Sequence, residues 1–142
     1  MTGKTHYWSQ KCLSLIGGAS VTGVTATWVA LLTVNPTGDG EAATDCPGLD
    51  RTLVNTDGST APYWSAVKSD GDKKLIDNVG TVSWITETVL GGWTEEIIVG
   101  IGIYDAATVG NLLYWEALDT NIITAPDEEI AFGTGALKVR ED

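Results

Sequence analysis

Trp93-Thr94-Glu95-Glu96-Ile97-Ile98-Val99-Gly100-Ile101-Gly102-Ile103-Tyr104-Asp105 is the stretch on which the fold class turns. Two-residue alternation places Ile97, Val99, Ile101 and Ile103 on one face and Gly100 and Gly102 on the other. A β-branched run with that period predicts a buried strand rather than a helix. The missing side chains at Gly100 and Gly102 predict that another part of the chain packs close against their face. Two more strand-like runs follow beyond a turn signal at 106–110, one over residues 111–118 and one over 129–139. None of the three carries a catalytic group.

Working outward, Trp8, Lys11, Cys12, Leu15 and Ile16 recur at helical spacing, and Gly17-Gly18 supplies a stop. A short helix is therefore predicted over residues 5–16. Residues 25–34 are apolar on both faces, the pattern of a central strand covered on both sides. Asn35-Pro36-Thr37-Gly38-Asp39-Gly40 is a strong turn signal. Short strands are predicted at 51–54 and 63–67, the second ended by Ser69-Asp70-Gly71-Asp72. A further strand over 78–86 has Val82 and Trp84 facing one way and Thr81, Ser83 and Ile85 the other. Residues 122–123 and 137–140 complete the set. Eight or nine short strands at this spacing predict a mainly β protein, a two-sheet antiparallel, jelly-roll-like β-sandwich with one short N-terminal helix. The division is an N-terminal arm and helix over 1–20 and one β-sandwich domain over 21–142, with no internal repeat or low-complexity segment.

The chain has 142 residues, 43% of them hydrophobic, which fits a single domain with a proper core. Eight Lys and Arg against 19 Asp and Glu leave a net charge of −11. Nucleic-acid binding needs cations to neutralise phosphates, so no nucleic-acid partner is expected. No run approaches the ~18 apolar residues of a bilayer span, and the polar start Met-Thr-Gly-Lys-Thr-His has no signal-peptide pattern. Cytoplasmic synthesis without membrane association is the expectation.

Cys12 and Cys46 are the two cysteines and His6 the sole histidine. The thiols lack CxxC spacing and a nearby histidine, so neither a zinc site nor a disulfide is expected. His6 has no acidic or thiol partner in sequence for nucleophilic catalysis. Gly100-Ile101-Gly102 lies inside a strand and lacks the third glycine of a dinucleotide fingerprint. The acidic groups at 70–72 and 127–129 do not have EF-hand spacing and read as solvated turns. The expectation is a non-enzyme without metal or cofactor. Six tryptophans remain to be explained. Trp84 and Trp115 read as core, whereas Tyr7, Trp8, Trp64 and Trp93 sit beside element ends, where amphipathic rings often meet a partner. These four are the candidate partner-interface residues, and a satellite of the core is the other reading of Trp8, Trp64 and Trp93. Tyr7 and Trp8 on a short polar lead also predict that residues 1–10 pack on a neighbouring subunit or particle.

Ile-Gly-Ile-Tyr-Asp-Ala (101–106), Gly-Asn-Leu-Leu-Tyr-Trp-Glu-Ala-Leu (110–118) and Phe-Gly-Thr-Gly-Ala-Leu-Lys-Val (132–139) resemble a group of small tailed-bacteriophage virion proteins. Trp28-Val29-Ala30-Leu31-Leu32-Thr33 and the amphipathic start ending in Gly17-Gly18 extend the resemblance over most of the chain. Members are labelled tail-fibre-like proteins or head decoration proteins. The resemblance implies a β-sandwich virion component made in the host cytoplasm. Its preferred form is a capsid decoration (cement) protein, a homotrimer bound to the major capsid protein on the outer head surface. A tail-fibre or tail-tip protein is the alternative, and a carbohydrate-binding module a further one.

Overall fold

Thr-Trp-Val-Ala-Leu-Leu-Thr-Val, residues Thr27–Val34, forms the central strand because both of its faces are apolar and both become covered. Val29 and Leu31 point into the main core with Ile101 and Ile103, while Ala30 and Leu32 join Tyr104 and Leu112 on the opposite, outer face. The structure is a computed structural model describing residues 3–20, 22–37, 43–87 and 92–141. Part of the Asn35–Gly40 turn and the first two residues of the arm lie outside the described residues.

In chain order the elements are β1 (Gly3–Lys4), α1 (His6–Ile16), β2 (Thr27–Val34), β3 (Thr44–Asp45), β4 (Thr52–Val54), β5 (Tyr63–Trp64) and β6 (Lys68–Asp70). They continue as β7 (Lys73–Val79), β8 (Val82–Ile85), β9 (Ile97–Tyr104), β10 (Leu112–Ile123), β11 (Glu129–Phe132) and β12 (Lys138–Glu141). The large sheet runs β1-β10-β9-β2-β3, with β4 sharing the outer edge of β2 with β3. All pairings between these strands are antiparallel. The protein is thus mainly β, with one short helix among the described residues. Side chains from the large sheet meet Trp64 (β5), Val82 and Trp84 (β8), Ile130 (β11) and Val139 (β12) in one core, which makes the arrangement a sandwich.

The second layer departs from the expected single sheet. It is divided into β12-β7-β5, with β6 beside β7, and the separate pair β11-β8. The division arises at Gly80, whose φ of 92° breaks the run read as one strand over 78–86. Asn78, fully buried just before the break, adds side-chain bonds to its backbone ones. Its amide donates to Gly80 O at 2.8 Å and Gly133 O at 3.0 Å, and its Oδ1 accepts from Leu137 N at 2.9 Å. The run read over 63–67 shortens to two residues, and Asp70-Gly71-Asp72 closes the β6–β7 hairpin.

A second correction concerns β9. Ile97 is 49% exposed and Ile98 fully buried, so the alternation read from the sequence is broken between Ile98 and Ile101. Asn35 causes part of this by donating its amide to Val99 O at 3.2 Å, and the β10 register jumps between Ala117 and Ile122 opposite the same place. The close packing expected over the glycines is present. A Cβ on Gly100 would lie 1.9 Å from Asn35 Oδ1, and one on Gly102 2.8 Å from Leu112 Cδ1. Trp84 is core, edge-on to Phe132 at 6.1 Å. Trp115, read as core, is only half-buried, because it lies on the outer face opposite Gly102 and Gly3.

Cys46 sits under the same sandwich, 3% exposed, with its backbone N–H bonded to Leu31 O at 2.7 Å. Burial, then the nearby charges of Glu96 and Asp45, push its thiol up to about 11. Both cysteines are free.

Candidate interaction surfaces

Thr5 fastens the helix to the sheet. Its backbone N–H bonds Leu113 O at 3.1 Å, its hydroxyl donates to Leu112 O at 2.6 Å, and the same oxygen caps α1 by accepting from Trp8 N at 3.4 Å. At the other end Gly17 N–H closes on Leu13 O at 2.9 Å. The helix is only 11 residues long, without an acidic first turn or a basic last turn, so tertiary contact must hold it.

Trp8 supplies much of that contact. Its indole donates to the Tyr114 hydroxyl at 2.9 Å, Tyr114 donates to Glu141 Oε1, and Lys4 Nζ lies 2.6 Å from Glu141 Oε2. Burial, then the Glu141 carboxylate, raises the Tyr114 hydroxyl above its ordinary range, so it remains a proton donor. Three separate elements, α1, β10 and β12, are tied by this chain of bonds. Between the helix and the sandwich end lies a recess of about 280 Å³, walled by Trp8, Val24, Trp64, Ile76, Ile103 and Val139.

The structure brings three of the four candidate interface residues to this end of the molecule. Tyr7 and Trp8 are half-buried against the chain's own core, and Lys11 Nζ stands 5.1 Å from the Tyr7 ring centroid. Trp64 is 8% exposed, with its indole bonded to Thr27 Oγ1 at 2.7 Å. Trp93 is elsewhere. Its indole donates to Thr124 Oγ1 at 2.8 Å, and its ring lies over Gly48, where a Cβ would approach it to 3.2 Å. It walls a groove of about 520 Å³ shared with Asp50, Trp84, Ile85 and Glu87.

Leu13, Leu15 and Ile16 are 67%, 64% and 83% exposed, so the apolar stripe read from the sequence docks through Trp8 and Cys12 but leaves its C-terminal half in water. Sequence alternation likewise hid the exposed Ile97. Its signal is absent because a local register break, not the residue pattern, decides which isoleucine faces out. Arg51 is another residue without a sequence signal. Its guanidinium stacks 3.4 Å from the Tyr104 ring centroid, pairs with Asp45 at 2.7 Å, and donates to Ala106 O and Val109 O. Burial, then Asp45, pushes the Tyr104 hydroxyl up to about 12. Every one of these contacts is internal, so Arg51 braces the outer face.

The groups considered for chemistry stay apart. His6 is exposed on the first turn of α1, Cys46 is buried, and Asp70 at the hairpin turn accepts from Arg140 at 3.0 Å. Among the described residues no three His, Cys, Asp or Glu side chains converge on a possible metal position, and no helix is long and apolar enough to cross a membrane.

The family model described as podophage GP4 fiber I protein gp80 matches residues 3–140. The chain belongs to that family, and is a small phage virion protein of β-rich fold. No curated protein matches it significantly.

Proposed function

We propose that this chain is a structural subunit of a virion fibre, holding its place by surface contact. The match of the fibre family over residues 3–140 carries this reading. The bonded chain Trp8–Tyr114–Glu141–Lys4 supports it, because it fixes the N-terminal helix at one end of the sandwich as a rigid projection. A short unrepeated sequence favours a second reading, the capsid decoration protein bound to the major capsid protein. Shafts are commonly built from repeats, whereas a compact acidic domain suits a lattice surface. Both readings invoke copies of this chain held by symmetry. Quantitative mass spectrometry of purified particles separates them. A fibre subunit is expected at roughly a dozen copies or fewer per virion and a decoration protein at hundreds, following the symmetry of tail and head. Hundreds of copies would overturn the fibre reading.

A further inference from the structure

The charge of this chain is divided by position. Residues 1–38 contain Lys4, His6 and Lys11 and no carboxylate, whereas residues 75–137 contain ten carboxylates and no Lys, Arg or His. The fold keeps only part of this division, because Asp105 beside Tyr7 and Lys11, and Glu141 paired with Lys4, stand at the helix end with those cations. The chain leaves the large sheet after Lys4, paired with Tyr114 at the start of β10, and re-enters it at Thr27, whose neighbour Trp28 pairs with Tyr104 at the end of β9. The helix between these points therefore belongs to the end where β9 finishes. Ile97 and Ile123, direct partners in the ladder, lie where β9 begins, roughly 23 Å away at ~3.3 Å per residue.

Each end carries an uncovered aliphatic patch. On the helix it is Leu13, Leu15 and Ile16 beside Lys11, 64–83% exposed. At the far end it is Ile97 and Ile123, 49% and 59% exposed on the outer face, with Val34 at 48% one pleat beyond Leu32. Glu95 and Glu96 immediately precede Ile97, and Asp119 lies on the same stretch of β10. Neither patch can reach the other within one chain.

We propose that the exposed side of α1 docks on the Ile97–Ile123 patch of a second copy, a head-to-tail contact between a helix that carries aliphatics and Lys11 but no carboxylate of its own and an aliphatic surface with Glu95, Glu96 and Asp119 close by in sequence. Apolar contact supplies the attraction, and the partly segregated charges set the orientation by penalising acidic end against acidic end. Such a contact is heterologous, so it closes into a ring or continues as a filament. It rests on residues of this chain alone and holds for a fibre or a capsid location.

Light scattering of the full chain at roughly 0.1 mM, where a micromolar contact is saturated, should give at least two chain masses. A single chain mass would overturn the proposal. Leu15→Asp with Ile16→Asp disables the helix, and Ile97→Lys with Ile123→Lys disables the far patch. All four positions are exposed, and unchanged circular dichroism verifies folding. Each variant alone should be a monomer. Mixed in equal amounts they should form a one-to-one dimer, because one intact helix and one intact patch remain. A mixture that stays monomeric, or a patch variant that still self-associates through its helix, would overturn the head-to-tail contact.

Discussion

Asn78 satisfies two carbonyls and one N–H from a position with no solvent access. Asn78→Leu would leave all three partners without their side-chain bond, at a cost of about 2–4 kcal/mol. Urea denaturation checks this, and a loss below about 1 kcal/mol would show that water replaces the amide. Nothing in the sequence distinguishes Asn78 from the turn-forming Asn55, because burial depends on segment 133–137 arriving from elsewhere. Gly100 was more legible, since an absent side chain in a strand already points to a close neighbour. Its neighbour is Asn35, whose Oδ1 is buried without a partner. Gly100→Ala should cost about 1–3 kcal/mol through overpacking. Adding Asn35→Ala should recover part of that loss, so the double variant is less destabilised than the sum of the singles.

Among the elements, α1 depends most on one residue. Thr5→Ala removes both the cap and the bond to Leu112 O, and about 1–2 kcal/mol of helix docking should go with it. Amide exchange should quicken over residues 6–16 while Ile101 and Ile103 stay protected. The β6–β7 hairpin offers a pH test. The Lys68 ammonium, then Ser65, holds the Asp77 carboxyl below its ordinary range. The fold therefore favours the ionised form. That contribution is complete above the ordinary carboxylate value and is lost as pH falls through the lowered one. Lys68→Met should shift the Asp77 titration upward in carbon-detected NMR. Strand periodicity located β2, β8 and β9 in the sequence, and the helix from its spacing and stop. The two-residue strands β1 and β3 were not legible, because they exist only by pairing with longer neighbours, and β5 was legible but read too long, over 63–67. The break in β9 was invisible for the same kind of reason: Asn35 and the β10 register impose it from outside.

For the whole molecule, 19 carboxylates against 8 cations oppose non-specific clustering at neutral pH, and the sequence pI of about 4.2 marks where that repulsion ends. Turbidity should be greatest near that pH and fall on either side. The sandwich as a class was readable from strand spacing, but its two ends were not. Which aliphatics remain uncovered depends on how far the helix projects and where β9 loses its alternation. Cys46, shut beneath the sheet with its thiol pushed up to about 11, has a further chemical consequence. A maleimide acts on thiolate, so in the native protein this sulfur should be inert, leaving Cys12 on the half-buried side of the helix as the group that reacts. One adduct per folded chain and two after denaturation, counted by intact mass, would verify it. A fluorophore could then be placed on the helix without altering the sequence.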